Sequence, residues 1–322
     1  MHAQLGLGLA ALGRPGYVTL DHARDLGGRY KPVAMELRAH RVLDAALAAG
    51  IRYVDVARSY GRAEEFVASW LRARKIEQGV VTVASKWGYT YTAGWSTSAA
   101  QHEVKDHSLA AFERQLAESL ERLNGQLSIY QIHSVTADSK TLEDGALIDA
   151  IARMRERGIK PGLSVSGPGQ EAAIRRSIEV RRDGKRVFDS VQATWNLLER
   201  GAESALDDAH AAGMRVVIKE TLANGRLTHS NQQEDRLLGP RISLIRDLAK
   251  DRHTNVETLA FAAALSRPWA DVVLTGAATI SQLASSVAAR SFDYDAALDQ
   301  EVHAATVPSA DYWAVRASFG WN

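Results

Sequence analysis

Ala212-Gly213-Met214-Arg215-Val216-Val217-Ile218-Lys219 reads as a helix end, a glycine turn, an apolar residue, a cation and then a strand. Glycine accepts the left-handed conformation that closes a helix, and the cation suits the negative helix end. The same junction stands at Ala49-Gly50-Ile51-Arg52 and at Arg157-Gly158-Ile159-Lys160. Three copies of one helix-to-strand turn point to a chain built from repeated βα units. Outward from these turns lie short apolar runs of the kind buried on both faces. They are Leu5–Gly8, Arg52–Asp55, Val80–Lys86, Leu127–His133, Gly162–Val165, Ser190–Thr194, Arg215–Lys219 and Val272–Thr275. Amphipathic stretches separate them. Leu109, Phe112, Leu116, Leu120 and Leu123 share one helical face, and Phe66, Val67, Trp70 and Leu71 repeat the pattern. Strands alternating with helices in this way predict an α/β fold, a (β/α)8 TIM barrel, with an open doubly wound sheet as the alternative.

The length of 322 residues accommodates one such barrel with insertions. No composition break or Gly/Ser linker divides the chain, so residues 1–322 read as a single domain. Gly16–Val33 reads as a loop insertion, and the polar stretch Leu227–Gly239 as a mobile loop after the seventh strand. The tail 308–322 carries Tyr312, Trp313, Phe319 and Trp321 and either packs on the barrel or covers its mouth. Basic residues number 39 and acidic ones 38, so no bulk field favours nucleic acid or an anionic membrane. Cysteine is absent, which excludes a disulfide, a thiolate nucleophile and a Cys-ligated metal. No apolar run approaches the ~20 residues of a membrane span. Met1–Gly13 has no Lys or Arg before Arg14 and fits a signal peptide poorly, so a cytoplasmic protein is expected, as a monomer or small homo-oligomer.

Active sites of such barrels lie at the C-terminal ends of the strands. The polar residues there are Asp55, Lys86, His133, Ser164, Gln192 and Lys219. Ionisable groups beside a buried core are costly unless paired, so Asp, Lys and His on three successive strands suggest a functional cluster. Tyr60 follows Asp55 in the adjoining loop. A phenol titrates near 10, and a neighbouring Lys86 ammonium is expected to lower that value. Asp55 would keep the ammonium charged, and His133 would orient the reacting oxygen or relay a proton. Together they suit protonation of a carbonyl oxygen during hydride transfer to an aldehyde or ketone.

Asp55-xxxx-Tyr60-Gly61, Glu64, Ser85-Lys86 and Gln131-Ile132-His133 resemble the aldo-keto reductase family in order and placement. So do Glu118-Ser-Leu-Glu-Arg-Leu123, Gly162-Leu-Ser164, Val191-Gln192 and Gly276-Ala277, and the likeness runs from Leu5 to about Ala289. The resemblance implies that Tyr60 is a general acid tuned by Lys86 and Asp55, with His133 orienting a small-molecule carbonyl or alcohol substrate. It implies a nicotinamide cofactor, NADP or NAD, extended across the strand ends. Ser164 and Gln192 would hold the carboxamide, and the loop Glu220–Leu227, including Leu222, would lie over the pyrophosphate. The stretch Gly276 to Gln282 would meet the adenosine.

Three positions depart from the family pattern. Ser164 is followed by Val165 rather than Asn, and Lys219 stands where an aromatic ring commonly stacks on the nicotinamide. No cation follows the eighth strand until Arg290, and a 2′-phosphate wants charge-assisted partners, so relaxed or NAD-leaning use is expected. Trp87, Tyr89, Trp195 and Trp313 are read as a partly aromatic substrate pocket. No metal site is expected: His102 and His107 are five residues apart and would not share a helical face. Two rival functions stay open, a nucleotide-sensing barrel with little turnover and a lyase using Lys86 as a Schiff base.

Overall fold

In a computed structural model, which describes residues 3–20, 22–229, 231 and 236–321, eight parallel strands close into a barrel. They are β1 (Gln4–Gly8), β2 (Tyr53–Asp55), β3 (Thr82–Trp87), β4 (Leu127–Val135), β5 (Lys160–Val165), β6 (Ser190–Thr194), β7 (Arg215–Lys219) and β8 (Val272–Thr275). Each pairs with its sequence neighbour, and β1 closes the ring onto β8 through Gln4↔Val272 and Leu7↔Thr275. The last three strands have the expected bounds. Strand β4 runs two residues beyond the expected end, because pairing resumes at Val135 after an irregularity in which Ser134 takes a φ of 55°. Gly50, Gly158 and Gly213 all have positive φ, the left-handed closure that their three junctions require.

Helices cover the outside. Pro32–Ala48, Ala63–Ala73, Leu109–Leu123, Gly145–Ala152, Gln170–Glu179, Glu203–Ala211, Val256–Leu265 and Ile280–Ala288 follow the strands in turn. The Leu109–Leu123 helix starts where Ser108 accepts a hydrogen bond from the Ala111 N–H and ends at Asn124 in the left-handed region. One large apolar core lies between strands and helices. A second, smaller cluster of Tyr53, Ala84, Ile129, Val217, Val272 and Leu274 fills the barrel axis. Strand side chains alternate, so Asp55, Lys86, Gln131, His133 and Lys219 continue that inward face toward the strand ends. Gly6 makes room for the plug: a Cβ there would lie 2.8 Å from Leu274 and 3.1 Å from Tyr53.

The insertion after β1 is not wholly a loop, since His22–Leu26 is helical and the next helix already begins at Pro32. The mobility expected of Leu227–Gly239 falls partly on residues 230 and 232–235, outside those described. Its described ends are anchored: Leu227 and Leu238 are buried, and Gly239 starts a helix. In the tail, Ser309–Ala317 is a helix whose Tyr312 hydroxyl accepts a hydrogen bond from Asn196 Nδ2 at 3.0 Å. Among the described residues, no helix is long and apolar enough to cross a membrane.

Candidate active site

The ends of β2, β3 and β4 bring Asp55, Lys86 and His133 to one end of the barrel, and the loop after β2 adds Tyr60. Lys86 is fully buried and forms an ion pair with Asp55. Its ammonium also donates to the Val56 carbonyl at 3.1 Å and lies 3.4 Å from the Tyr60 hydroxyl. Gln192 Nε2 donates to the other Asp55 oxygen at 2.8 Å, and Gln131 Nε2 lies 3.4 Å from it. Both carboxylate oxygens therefore have partners, as a buried charge requires. The His133 ring meets Tyr60 edge to face, with centroids 5.6 Å apart.

Burial decides the titration of these groups. It raises the Tyr60 phenol well above 10, and Asp55 adds to the rise while Arg14 opposes it. The expected lowering by Lys86 is thus corrected. Desolvation, together with the Asp55 carboxylate that acts on the phenol against the ammonium, outweighs the lowering that Lys86 contributes. Burial likewise lowers Lys86, against the pull of Asp55. His133 is pushed well below its usual value by burial and then by Lys86 and Arg14, so the imidazole is neutral at pH 7. It serves as a neutral hydrogen-bonding group.

A cavity of about 600 Å³ opens from these residues along the strand ends. Tyr60, His133, Gln192, Lys219, Leu222, Gly276 and Gln282 line it, together with Asp55. The Lys219 ammonium donates to Thr194 Oγ1 at 2.7 Å, with Glu220 and Arg316 beside it. Burial would raise the Glu220 carboxyl, but Lys219 and Arg316 outweigh it and hold the group at about 2. The charge expected at Lys219 therefore meets a carboxylate that stays ionised.

Several expected residues lie elsewhere. Ser164, in register with Gln192, is buried and its hydroxyl oxygen accepts the Ser134 N–H at 2.8 Å; Ser166, two residues on, lines the cavity. The aromatic pocket is corrected too. Strand alternation that sends Lys86 inward sends Trp87 outward, where its ring lies 5.0 Å from Phe112 and 5.7 Å from His107. Trp195 packs edge to face on Trp269 at 5.9 Å, and Trp313 lies against Lys219 beside the wall. Tyr89 touches the site from outside the cavity wall, through its ring contact with His133 at 5.0 Å and through Ser134. Replacing Trp195 with alanine should therefore cost about 3–5 kcal/mol of stability in urea unfolding and leave the KM of a small carbonyl unchanged. A raised KM with unchanged stability would return Trp195 to the substrate wall.

Beyond Tyr60 and Phe261, the cavity wall takes its rings from Tyr17 and Trp321 instead, and with these two stand Arg14, Glu103, Arg24 and Asp25. These come from the insertion after β1, the hairpin Tyr89–Lys105 and the tail, segments whose composition carries no periodic signal. The His102–His107 stretch belongs to that hairpin and its exit turn rather than to a helix: His102 stacks on Trp321, and His107 Nε2 contacts the His133 carbonyl at 2.8 Å. Arg290 is turned away, with Nη1 donating to the Ala49 carbonyl at 2.5 Å. Gln282 Nε2 donates to Asp25 Oδ2 at 2.8 Å and so joins the insertion to the helix after β8.

Residues 5–305 match the model of the Aldo/keto reductase family. The chain is similar to the chloroplastic pyridoxal reductase of Arabidopsis thaliana, 26% identical over 230 residues, covering 67% of this chain and 58% of that protein. It is 25% identical over 287 residues to the uncharacterized oxidoreductase YrpG of Bacillus subtilis, covering 83% and 85% of the two chains. Among solved structures, the holo form of aldo-keto reductase AKR11C1 from Bacillus halodurans matches with a TM-score of 0.73 at 22% identity, over 95% of this chain and 92% of that one. At that identity the likeness is one of fold.

Proposed function

The chain belongs to the aldo/keto reductase family of NAD(P)H-dependent oxidoreductases, and on that premise we propose that it reduces an aldehyde or ketone, or oxidises the corresponding alcohol, with Tyr60 as general acid. The observation that carries this reading is the meeting of Tyr60, Lys86, Asp55 and His133 at one end of a cavity that follows the strand ends. The cavity also fits a nicotinamide dinucleotide. The His133 Nδ1 and Thr221 Oγ1 atoms on its wall are buried without hydrogen-bond partners. The backbone from Glu220 to Gly225 takes positive φ at Glu220, Ala223, Asn224 and Gly225, a tight winding that sets Thr221, Leu222, Asn224 and Gly225 on the cavity wall. A Cβ at Gly276 would meet open space. Thr221, Leu222 and Asn224 would hold the pyrophosphate, Gln192 the carboxamide, and Gly276 and Gln282 the adenosine.

When bound, the dinucleotide supplies the hydride. Tyr60 hydrogen-bonds the carbonyl oxygen and gives up its proton as that oxygen gains charge. The Lys86 ammonium, held by Asp55, stabilises the phenolate that remains, and neutral His133 fixes the oxygen's direction by a second hydrogen bond. Arg316 and Trp321 on the cavity wall support a covering role for the tail 308–322, of which residue 322 lies outside those described. The test is loss of reduced-nicotinamide absorbance with a reactive aldehyde. Tight nucleotide binding with no turnover would favour the sensing alternative, and a borohydride-trapped adduct on Lys86 the lyase.

Cofactor preference follows from charge. The carboxylates of Asp25 and Glu257 line the cavity beside Gln282 and Ser285, with Arg24 as the neighbouring cation. An added 2′-phosphate would meet like charge there. We expect kcat/KM with NADH to equal or exceed that with NADPH, and a strong preference for NADPH in paired assays would defeat the idea.

A further inference from the structure

We infer that Arg14 is a positioning residue for Tyr60, holding the loop that carries the phenol and setting a second cation against its ring. The inference rests on the proposed role of Tyr60. Arg14 leaves the loop after β1 and is only 3% exposed. Its guanidinium carbon lies over the Tyr60 ring, 5.1 Å from the centroid. Nη1 donates to the carbonyl of Ser59, the residue before Tyr60, at 2.8 Å, and to Glu103 at 2.9 Å. The backbones interlock as well. The Arg62 N–H donates to the Gly13 carbonyl at 2.8 Å, and a Cβ on Gly13 would stand 2.3 Å from the Tyr60 carbonyl oxygen. These loops meet at a distance that only glycine permits.

A buried guanidinium is an expensive way to fill space, and here Nε has no partner at all. The location explains it. Lys86 spends its charge on Asp55, while Glu103 and Glu220 add negative charge around the phenol. His133 is neutral, so two cations face the ring: Lys86, 4.8 Å from its centroid and paired with Asp55, and Arg14, which pairs with Glu103 at 2.9 Å and opposes the carboxylates from the second side of the loop contact. The Trp321 ring also packs on it, its centroid 4.7 Å from the guanidinium carbon. A cation in this position favours the phenolate and so strengthens the acid.

The experiment is alcohol oxidation followed across pH, where Tyr60 must be deprotonated to act as base. Removing the cation raises the phenol's pKa, so the acidic limb moves to higher pH. Arg14→Met should shift that limb up by about one pH unit, which is tenfold in rate below the limb. Dissociation constants for the dinucleotide should stay unchanged. Arg14→Lys should keep the limb near its wild-type place, and added guanidinium ion should move the limb of Arg14→Met back toward it. If Arg14→Met and Arg14→Lys lose thermal stability alike while both limbs stay put, Arg14 is a packing residue and the inference is overturned. Tyr60→Phe separates the two claims. Wild-type activity in Tyr60→Phe would remove the parent reading, whereas an inactive Tyr60→Phe beside an unmoved Arg14→Met limb would remove this inference alone.

Discussion

Tyr60→Phe is expected to lower kcat for carbonyl reduction by about 10²–10⁴-fold, the usual worth of one positioned general acid. Nucleotide affinity should be unchanged, because the substitution removes one oxygen at the reacting end of the cavity. Folding stability should change little. The hydroxyl's protein partner is the Lys86 ammonium at 3.4 Å, a long contact, and that ammonium keeps Asp55 and the Val56 carbonyl. A fall in activity accompanied by loss of structure would therefore count against the assignment. Single-turnover rates with saturating nucleotide, set beside urea unfolding of the same preparation, make the check.

Lys86→Met should be damaging in two separable ways. The first is catalytic: without the ammonium, the Asp55 carboxylate stands uncompensated near Tyr60, and the phenol becomes a weaker acid. The rate of reduction falls, and the acidic limb of alcohol oxidation moves to higher pH. The second is structural. Removing one partner of a buried ion pair leaves a desolvated charge, at a cost of about 3–5 kcal/mol. Gln192 and Gln131 still face the carboxylate but carry no charge. The double variant Asp55→Asn/Lys86→Met removes both charges and should recover most of the stability while staying slow. Recovery of both properties would mean that the pair serves the fold alone, and an unmoved pH profile in Lys86→Met would reject its coupling to Tyr60.

Much of the barrel was legible because its signals are local. The three glycine junctions need only a helix end and a strand start, and their φ values bear this out. Strands β6, β7 and β8 took their expected bounds because each is a short apolar run with a sharp edge. The inward parity of Asp55, Lys86 and His133 also follows from strand alternation once the strands are known. That same parity should have warned against Trp87, which is one residue past Lys86 and faces the helices. Ser164 shares the inward parity and the register of Gln192, but what its hydroxyl accepts, the Ser134 N–H, depends on the irregular end of β4 and could not be read from the strand pattern.

Sequence by itself determined the repeated βα order, the glycine turns and the residue types at the strand ends, because each depends on neighbours a few positions away, whereas closure of the sheet rests on the pairing of β1 with β8 across the whole chain. Tertiary structure alone decided what surrounds Tyr60. Arg14, Glu103 and Trp321 arrive from three segments far apart in the chain, and their meeting depends on how those segments fold over the barrel mouth. It also decided the phenol's titration. Desolvation and the neutralising Asp55–Lys86 contact are properties of a three-dimensional environment, and no order of letters along the chain carries their balance.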